Sequence, residues 1–111
     1  MSADHTTAGT AKATTFIDNE RVIVTEWRFA PGANTGWHRH GHDYVVVPLG
    51  DGKLRLVNPG GIITEAELKN GQPYFRQAGV EHDVINANAF EYAFIEIEMK
   101  KGTRAGPNDP P

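Results

Sequence analysis

Residues 21 to 100 fall into short segments rich in Val, Ile, Phe, Tyr and Thr, separated by turns that contain glycine or asparagine. This punctuation, more than any single residue, limits the folds open to the chain. The segments are "RVIVTEWRFA", "TGWHRH", "YVVVPL", "KLRLV", "IITEAEL", "QPYFRQ", "HDVINA" and "EYAFIEIEMK", with turn chemistry at "GDG", "NPGG", "KNG" and "AGVE". β-Branched and aromatic side chains suit a pleated backbone, and glycine supplies the positive φ that tight turns demand. "ITEAELKN" has some helical propensity, but it is too short to stand alone between two glycine-containing turns. The pattern predicts an all-β domain of eight or nine short antiparallel strands. Closing them into a small barrel or a two-sheet jelly roll removes or shortens the exposed edges.

At 111 residues the chain has the size of one domain. Residues 1–14 are small, polar and aperiodic, and "KGTRAGPNDPP" is rich in proline and glycine, so flexible tails are expected at 1–14 and 102–111, flanking a domain at 15–101. The formal charge of −3 and the scattering of the 11 basic residues leave no stripe for a phosphate backbone, which argues against nucleic-acid binding. No segment has the length and apolarity of a signal peptide or a membrane span, so the protein is expected to be soluble and cytoplasmic. Cysteine is absent, which excludes disulfides, thiol nucleophiles and cysteine-based zinc sites and leaves histidine and carboxylates as the strong metal ligands.

Three of the five histidines lie within "HRHGH", at positions 38, 40 and 42. Residues two apart on a strand share a face, about 6.6 Å apart at a rise of roughly 3.3 Å per residue. His38 and His40 are therefore placed side by side, with Trp37 on the opposite face. Gly41, His42 and Asp43 read as a turn that leaves His42 at the rim, although strict alternation would carry it inward as well. A third ligand is sought in "GQPYFRQAGVEHDVIN", where a glycine turn delivers His82 to the start of another strand. An isolated His-x-His is a weak pattern, and His5, in the N-terminal tail, shows that a histidine need not belong to a site.

Together these two segments resemble the cupin superfamily. Its first motif is glycine, five residues, His-x-His, three or four residues, glutamate, six residues, glycine. Gly32, His38 and His40 match it, Tyr44 stands where the glutamate belongs, and Gly50 and Gly52 straddle the place of the last glycine. Its second motif is glycine, five residues, proline, x, glycine, two residues, histidine, three residues, asparagine. Gly71, Gly79, His82 and Asn86 match, and Gln77 replaces the proline. The resemblance implies a double-stranded β-helix, a jelly-roll barrel, with one divalent metal in its mouth held by His38, His40 and His82. Cupins with three histidines and no carboxylate include thiol dioxygenases and a diketone-cleaving dioxygenase. The stretches "TEWRFAPGANTGWHRHGHDYVVVPL" and "YFRQAGVEHDVIN" are similar to small bacterial cupins named for β-alanine degradation.

Three neutral imidazoles leave an ion its full 2+ charge and open positions on one side, an arrangement suited to a substrate that supplies its own negative charge. The expected cofactor is Fe(II), with Ni(II), Zn(II) and Mn(II) as alternatives, since ligand type alone does not select the metal. The expected activity is an iron-dependent, dioxygenase-like oxidoreduction of a small anionic metabolite. The rivals are a metal-dependent isomerase, lyase or hydrolase in which the ion polarises a carbonyl, and a non-catalytic binding or sensing module.

Tyr44 is the catalytic candidate, as a phenol able to orient substrate or donate a proton, or else it fills the space of the missing glutamate. Arg28, His42 and Glu96 are candidates for substrate binding. If Arg28 faces inward it suits a substrate carboxylate, whereas the ordinary place for Arg28 and Glu96 is the polar face that a strand shows to water. Asn86 is expected to hold a loop by side-chain hydrogen bonds. The family resemblance also implies a homodimer, for which "TTFIDNERVIVTEW" offers a strand to pair or exchange.

Overall fold

The β-rich segments pair as strands, and one further strand precedes them. The structure, a computed structural model, describes residues 9–100. Among these residues the elements are β1 (Lys12–Asp18), β2 (Val22–Phe29), β3 (His38–Arg39), β4 (Asp43–Pro48), β5 (Gly52–Val57), β6 (Ile63–Leu68), β7 (Tyr74–Arg76), β8 (Glu81–Asn86) and β9 (Tyr92–Met99). A single 3-10 turn at Pro59–Gly61 joins β5 to β6. "ITEAEL" is extended, so its pairing with β5 overrides its helical propensity.

The strands form a five-stranded sheet in the order β1-β2-β9-β4-β7 and a four-stranded sheet in the order β3-β8-β5-β6. Their facing sides meet in a core that includes Phe29, Val46, Leu54, Val84 and Phe94, with the rings of Phe29 and Phe94 5.6 Å apart. Full burial of side chains of this size stabilises by roughly 1.5 to 3 kcal/mol each. Strand alternation then dictates every other inward position. Phe94 and Val46 point inward, and so must Glu96, Glu98 and Tyr44.

Cross-strand register arranges these inward groups in rows. Arg76, Tyr44 and Glu98 stand opposite one another on β7, β4 and β9, and Tyr74, Val46, Glu96 and Thr25 form the next row across β7, β4, β9 and β2. The reverse face carries Phe75, Val45, Ile97, Val24 and Ile17. The "IEIE" run of β9 thus turns its isoleucines outward and its glutamates inward, against their hydrophobicity.

The domain begins earlier than the expected residue 15. Ala11 is buried, Thr10 bridges to Asn34, and β1 starts at Lys12. Every residue of β1 is exposed, so the strand is held by its ladder to β2 and not by burial, which a reading of hydrophobic pattern cannot detect. The rest of the expected tails, residues 1–8 and 101–111, lies outside the described residues, as does His5.

Asn86 is only 2% exposed and ties β8 to its surroundings. Its amide donates to the carbonyls of Phe29, Ala30 and Phe90 at 3.2, 3.2 and 2.8 Å, and its Oδ1 accepts from the backbone N–H of Asn88 at 2.9 Å. This is the loop-holding role expected of it. Gly52 has a different constraint, since a Cβ there would lie 2.6 Å from Cε1 of Tyr92, whose hydroxyl donates to the Gly50 carbonyl.

Replacing Asn86 by Ala removes its side-chain bonds to the carbonyls of Phe29, Ala30 and Phe90 and to the N–H of Asn88 at once, and leaves a void where a fully buried side chain stood. We expect Asn86→Ala to lower the unfolding free energy by roughly 2 to 4 kcal/mol, read from urea denaturation followed by circular dichroism.

Candidate metal centre

The three histidines come from the four-stranded sheet. His38 lies on β3 directly opposite His82 on β8. His40 stands just beyond the end of β3, where two backbone bonds of 2.8 Å hold it to the turn before β8: its N–H donates to the Val80 carbonyl, and its carbonyl accepts from the N–H of Gly79. Gly79 adopts φ 99°, a conformation open to glycine at little cost. The second glycine of the sequence pattern therefore anchors His40 as well as presenting His82.

The ring nitrogens converge. Nε2 of His40 lies 3.0 Å from Nε2 of His38 and 3.2 Å from Nε2 of His82. An ion about 2.1 Å from each of three nitrogens requires them roughly 3.0 to 3.4 Å apart, the shorter value corresponding to bond angles near 90°. Three neutral imidazoles facing one another cannot satisfy three lone pairs among themselves, whereas a cation at their centre uses all three. The donor set fits a divalent metal.

Surrounding groups orient the rings. Nδ1 of His38 lies 2.9 Å from the Gly36 carbonyl, an acceptor only, so this nitrogen carries the proton and Nε2 keeps its lone pair. Asp83 secures that loop, accepting from the Gly36 N–H at 3.0 Å and from Nδ2 of Asn34 at 2.9 Å. Thr35 Oγ1 adds a contact of 3.2 Å to the same His38 nitrogen and accepts from the Val84 N–H. Asp83 went unnoticed in the sequence, where its only signal was adjacency to His82. Nδ1 of His82 meets no partner among the described residues.

The five-stranded sheet contributes the other polar groups. Tyr44 is buried and stacks on His40, with centroids 3.9 Å apart and planes inclined by 17°. Burial raises its pKa far above the ordinary phenol value, so the hydroxyl is a neutral donor. Two carboxyl groups from β9 approach the other edge of the His40 ring: Glu98 Oε2 lies 4.0 Å from His40 Nδ1, and Glu96 and Glu98 together with His40 form a second cluster of potential ligands. Burial, reinforced by the neighbouring Glu98, raises Glu96 to about 7, opposed by a hydrogen bond from Trp27 Nε1 at 3.4 Å.

A cavity of about 410 Å³ adjoins the site. Its wall includes Val46, Leu54, Leu56, Val84 and Phe94, with polar groups from Tyr44, Tyr74, Arg76, His82 and Glu96. Glu96 is thus inside and not on the solvent face. Arg28 is outside: the strand parity that buries Phe29 turns it outward, where it pairs with Glu26 and Glu91. The arginine on the cavity wall is Arg76, which hydrophobic patterning of the short β7 did not single out. His42, also considered for substrate, is half-buried in the bend before β4, away from both the imidazole cluster and the cavity wall. Trp37 is 52% exposed and belongs to neither core nor pocket.

The two sheets, with His-x-His and a distant histidine meeting at one end of the space between them, define a double-stranded β-helix with a three-histidine mouth. No family model matches the chain. It is 64% identical over 90 residues to the β-alanine degradation protein BauB of Pseudomonas aeruginosa, covering 81% of this chain and 94% of the relative. It is also similar to the crystal structure of a cupin domain from Bordetella pertussis Tohama I, at 55% identity and a TM-score of 0.79, covering 82% of this chain and 94% of that one. A Klebsiella pneumoniae protein with a double-stranded β-helix domain shares the fold at 20% identity, with a TM-score of 0.68 and coverage of 87% and 82%. The chain belongs to the cupins.

The buried imidazoles make the metal-free protein acid-sensitive. Desolvation, aided by the charge of His38, lowers His40 to about 3 and His82 to about 4. In the unfolded chain both take up protons near pH 6.5, so their contribution is intact above that value and is lost as pH falls from about 6.5 toward about 4 for His82 and about 3 for His40. The melting temperature of metal-free protein should be lower at pH 5 than at pH 7.5, and a His40→Gln/His82→Gln variant should show a smaller difference.

Proposed function

We propose that this cupin is a metal-dependent oxidoreductase that holds Fe(II) through His38, His40 and His82 and acts as a dioxygenase on a small anionic metabolite. The observation that carries the reading is the convergence of three neutral imidazole nitrogens beside a cavity whose wall is mostly apolar. Bound Fe(II) supplies the redox chemistry that couples dioxygen to oxidation of the substrate. Ni(II), Zn(II) and Mn(II) suit the same donors and are the alternatives. The name of the Pseudomonas relative, with which this chain shares most of its length, favours a small carboxylate-bearing metabolite.

The chain's own groups divide the remaining work. Apolar residues of the cavity exclude water and receive the carbon skeleton. Tyr44, neutral and stacked on His40, offers its hydroxyl to a substrate atom near the histidines. Glu96, with a pKa near neutrality, can hold or release a proton at the cavity wall. A cytoplasmic homodimer is part of this proposal. The outer edge of β1 has no strand partner among the described residues, and Phe16 and Ile17 on this strand are exposed. No helix among the described residues is long and apolar enough to cross a membrane.

Elemental analysis of protein purified without oxygen should find near-stoichiometric iron in the wild type and little in a His38→Ala/His40→Ala/His82→Ala variant. Oxygen-electrode assays across carboxylates, thiols and diketones should then reveal substrate-dependent oxygen uptake. Turnover that survives oxygen removal would point to an isomerase, lyase or hydrolase. Iron retention without any turnover would point to a binding module.

Tyr44→Phe keeps the ring stacked on His40 and should preserve metal content. We expect its kcat to fall by about 10²-fold or more, in line with loss of a positioned proton donor. An unchanged kcat would reduce Tyr44 to packing.

A further inference from the structure

We propose that Arg76 is the carboxylate anchor of the cavity, so that the ligand class is a short-chain carboxylate with apolar carbons next to its carboxylate group. The first ground is the pairing state of the cations. Arg28, Lys53, Arg55 and Lys100 each form an ion pair. Lys12, Arg21, Arg39, Lys69 and Arg76 form none among the described residues; the first four are exposed, and Arg76 is half-buried on the cavity wall. Keeping a guanidinium beside apolar side chains without a counter-ion is unfavourable, and an anionic ligand relieves that cost. The other cation on the wall, Lys69, is exposed, so water screens its charge.

The second ground is the register. Arg76 faces Tyr44 across the β7–β4 ladder, and Tyr44 stacks on His40, so the guanidinium belongs to the strand next to the histidine cluster's own aromatic neighbour. Glu96 and Glu98 are on β9, on the far side of β4, which sets their backbones roughly 9.5 Å from that of β7 at about 4.8 Å per strand. The five-stranded sheet's side of the cavity is thus polarised across its width, with the guanidinium of Arg76 on β7 and the carboxyl of Glu96 two strands away on β9. Arg76 is the cation that an incoming carboxylate meets on this side, and Val46, Leu54 and Phe94 receive the carbons behind it. The positive charge of Arg76 also acts on His40, Tyr44, Tyr74 and His82, consistent with a guanidinium turned toward the interior.

Only the idea that the ligand's other end meets the histidines rests on the metal reading, so the anchor is tested on metal-free protein. The probe is butanoate, with butanamide as its neutral counterpart, titrated into isotope-labelled protein and followed by NMR. We expect butanoate to bind at the cavity more tightly than butanamide, to lose about tenfold or more in affinity in Arg76→Gln, and to recover in part in Arg76→Lys. Lys69→Gln should bind as the wild type does. Equal affinity of the wild type and Arg76→Gln, or of butanoate and butanamide for the wild type, would overturn the proposal. The second comparison uses only wild-type protein, so it decides the matter even if Arg76→Gln does not fold. Failure of the metal reading would be seen separately, as absence of metal from wild-type protein that still binds butanoate through Arg76.

Discussion

The placement of β9 between β2 and β4 governs the molecule. Phe94 must enter the core beside Phe29, and once it does, alternation brings Glu96 and Glu98 inward behind it. A slip of one residue would bury Ile95 and Ile97 in their place, exchange the polar interior for an apolar one, and expose the phenylalanine. The apolar core at one end of the sheet therefore secures the orientation of polar groups at the other. Burial free energy gained at Phe29, Phe94 and Val46 offsets the cost of holding carboxyl groups, a tyrosine and an arginine in the interior.

The two sheets contribute different chemistry to the site. Histidines come from β3, its C-terminal extension and β8, within the four-stranded sheet, where the bonds of His40 to Gly79 and Val80 couple the positions of the imidazoles. Acid, phenol and guanidinium come from β9, β4 and β7 of the five-stranded sheet. The stacked rings of His40 and Tyr44 join the two sets. This division explains how Tyr44 can occupy the position of the usual cupin glutamate while carboxylates still lie near His40: they arrive from another strand. A buried, largely uncharged donor set and a separate polarised wall let one small cavity present several kinds of contact to a ligand.

Much of the fold was legible in residue patterns because turns and strands are local. Gly and Asn turns and β-branched segments marked all but the first strand, and the spacing of the glycines, His38, His40, His82 and Asn86 pointed to the cupin barrel and to a meeting of three imidazoles. Strand β1 was read only as part of "TTFIDNERVIVTEW", a strand to pair or exchange in a dimer; its start at Lys12 and its pairing with β2 were missed, because it buries almost nothing and backbone pairing leaves no hydrophobic signature. The inward turn of Glu96 was left open for the same kind of reason. An alternating "IEIE" says that two faces differ, and hydrophobicity alone assigns the wrong one to the interior.

By itself, then, the sequence determined the all-β class and the order of the strands along the chain, which depend on short-range spacing, and the resemblance of its two motifs to the cupins named the histidines that assemble although His82 lies 42 residues beyond His40. Only the tertiary structure decided which arginine faces the cavity, which carboxylates approach His40 and where His42 lies. Arg28 and Arg76 are both strand residues with the same chemistry, and what separates them is the parity imposed by distant partners, Phe29 against the core in one case and Tyr44 across the ladder in the other. Those partners are dictated by how two sheets pack, which no local pattern encodes.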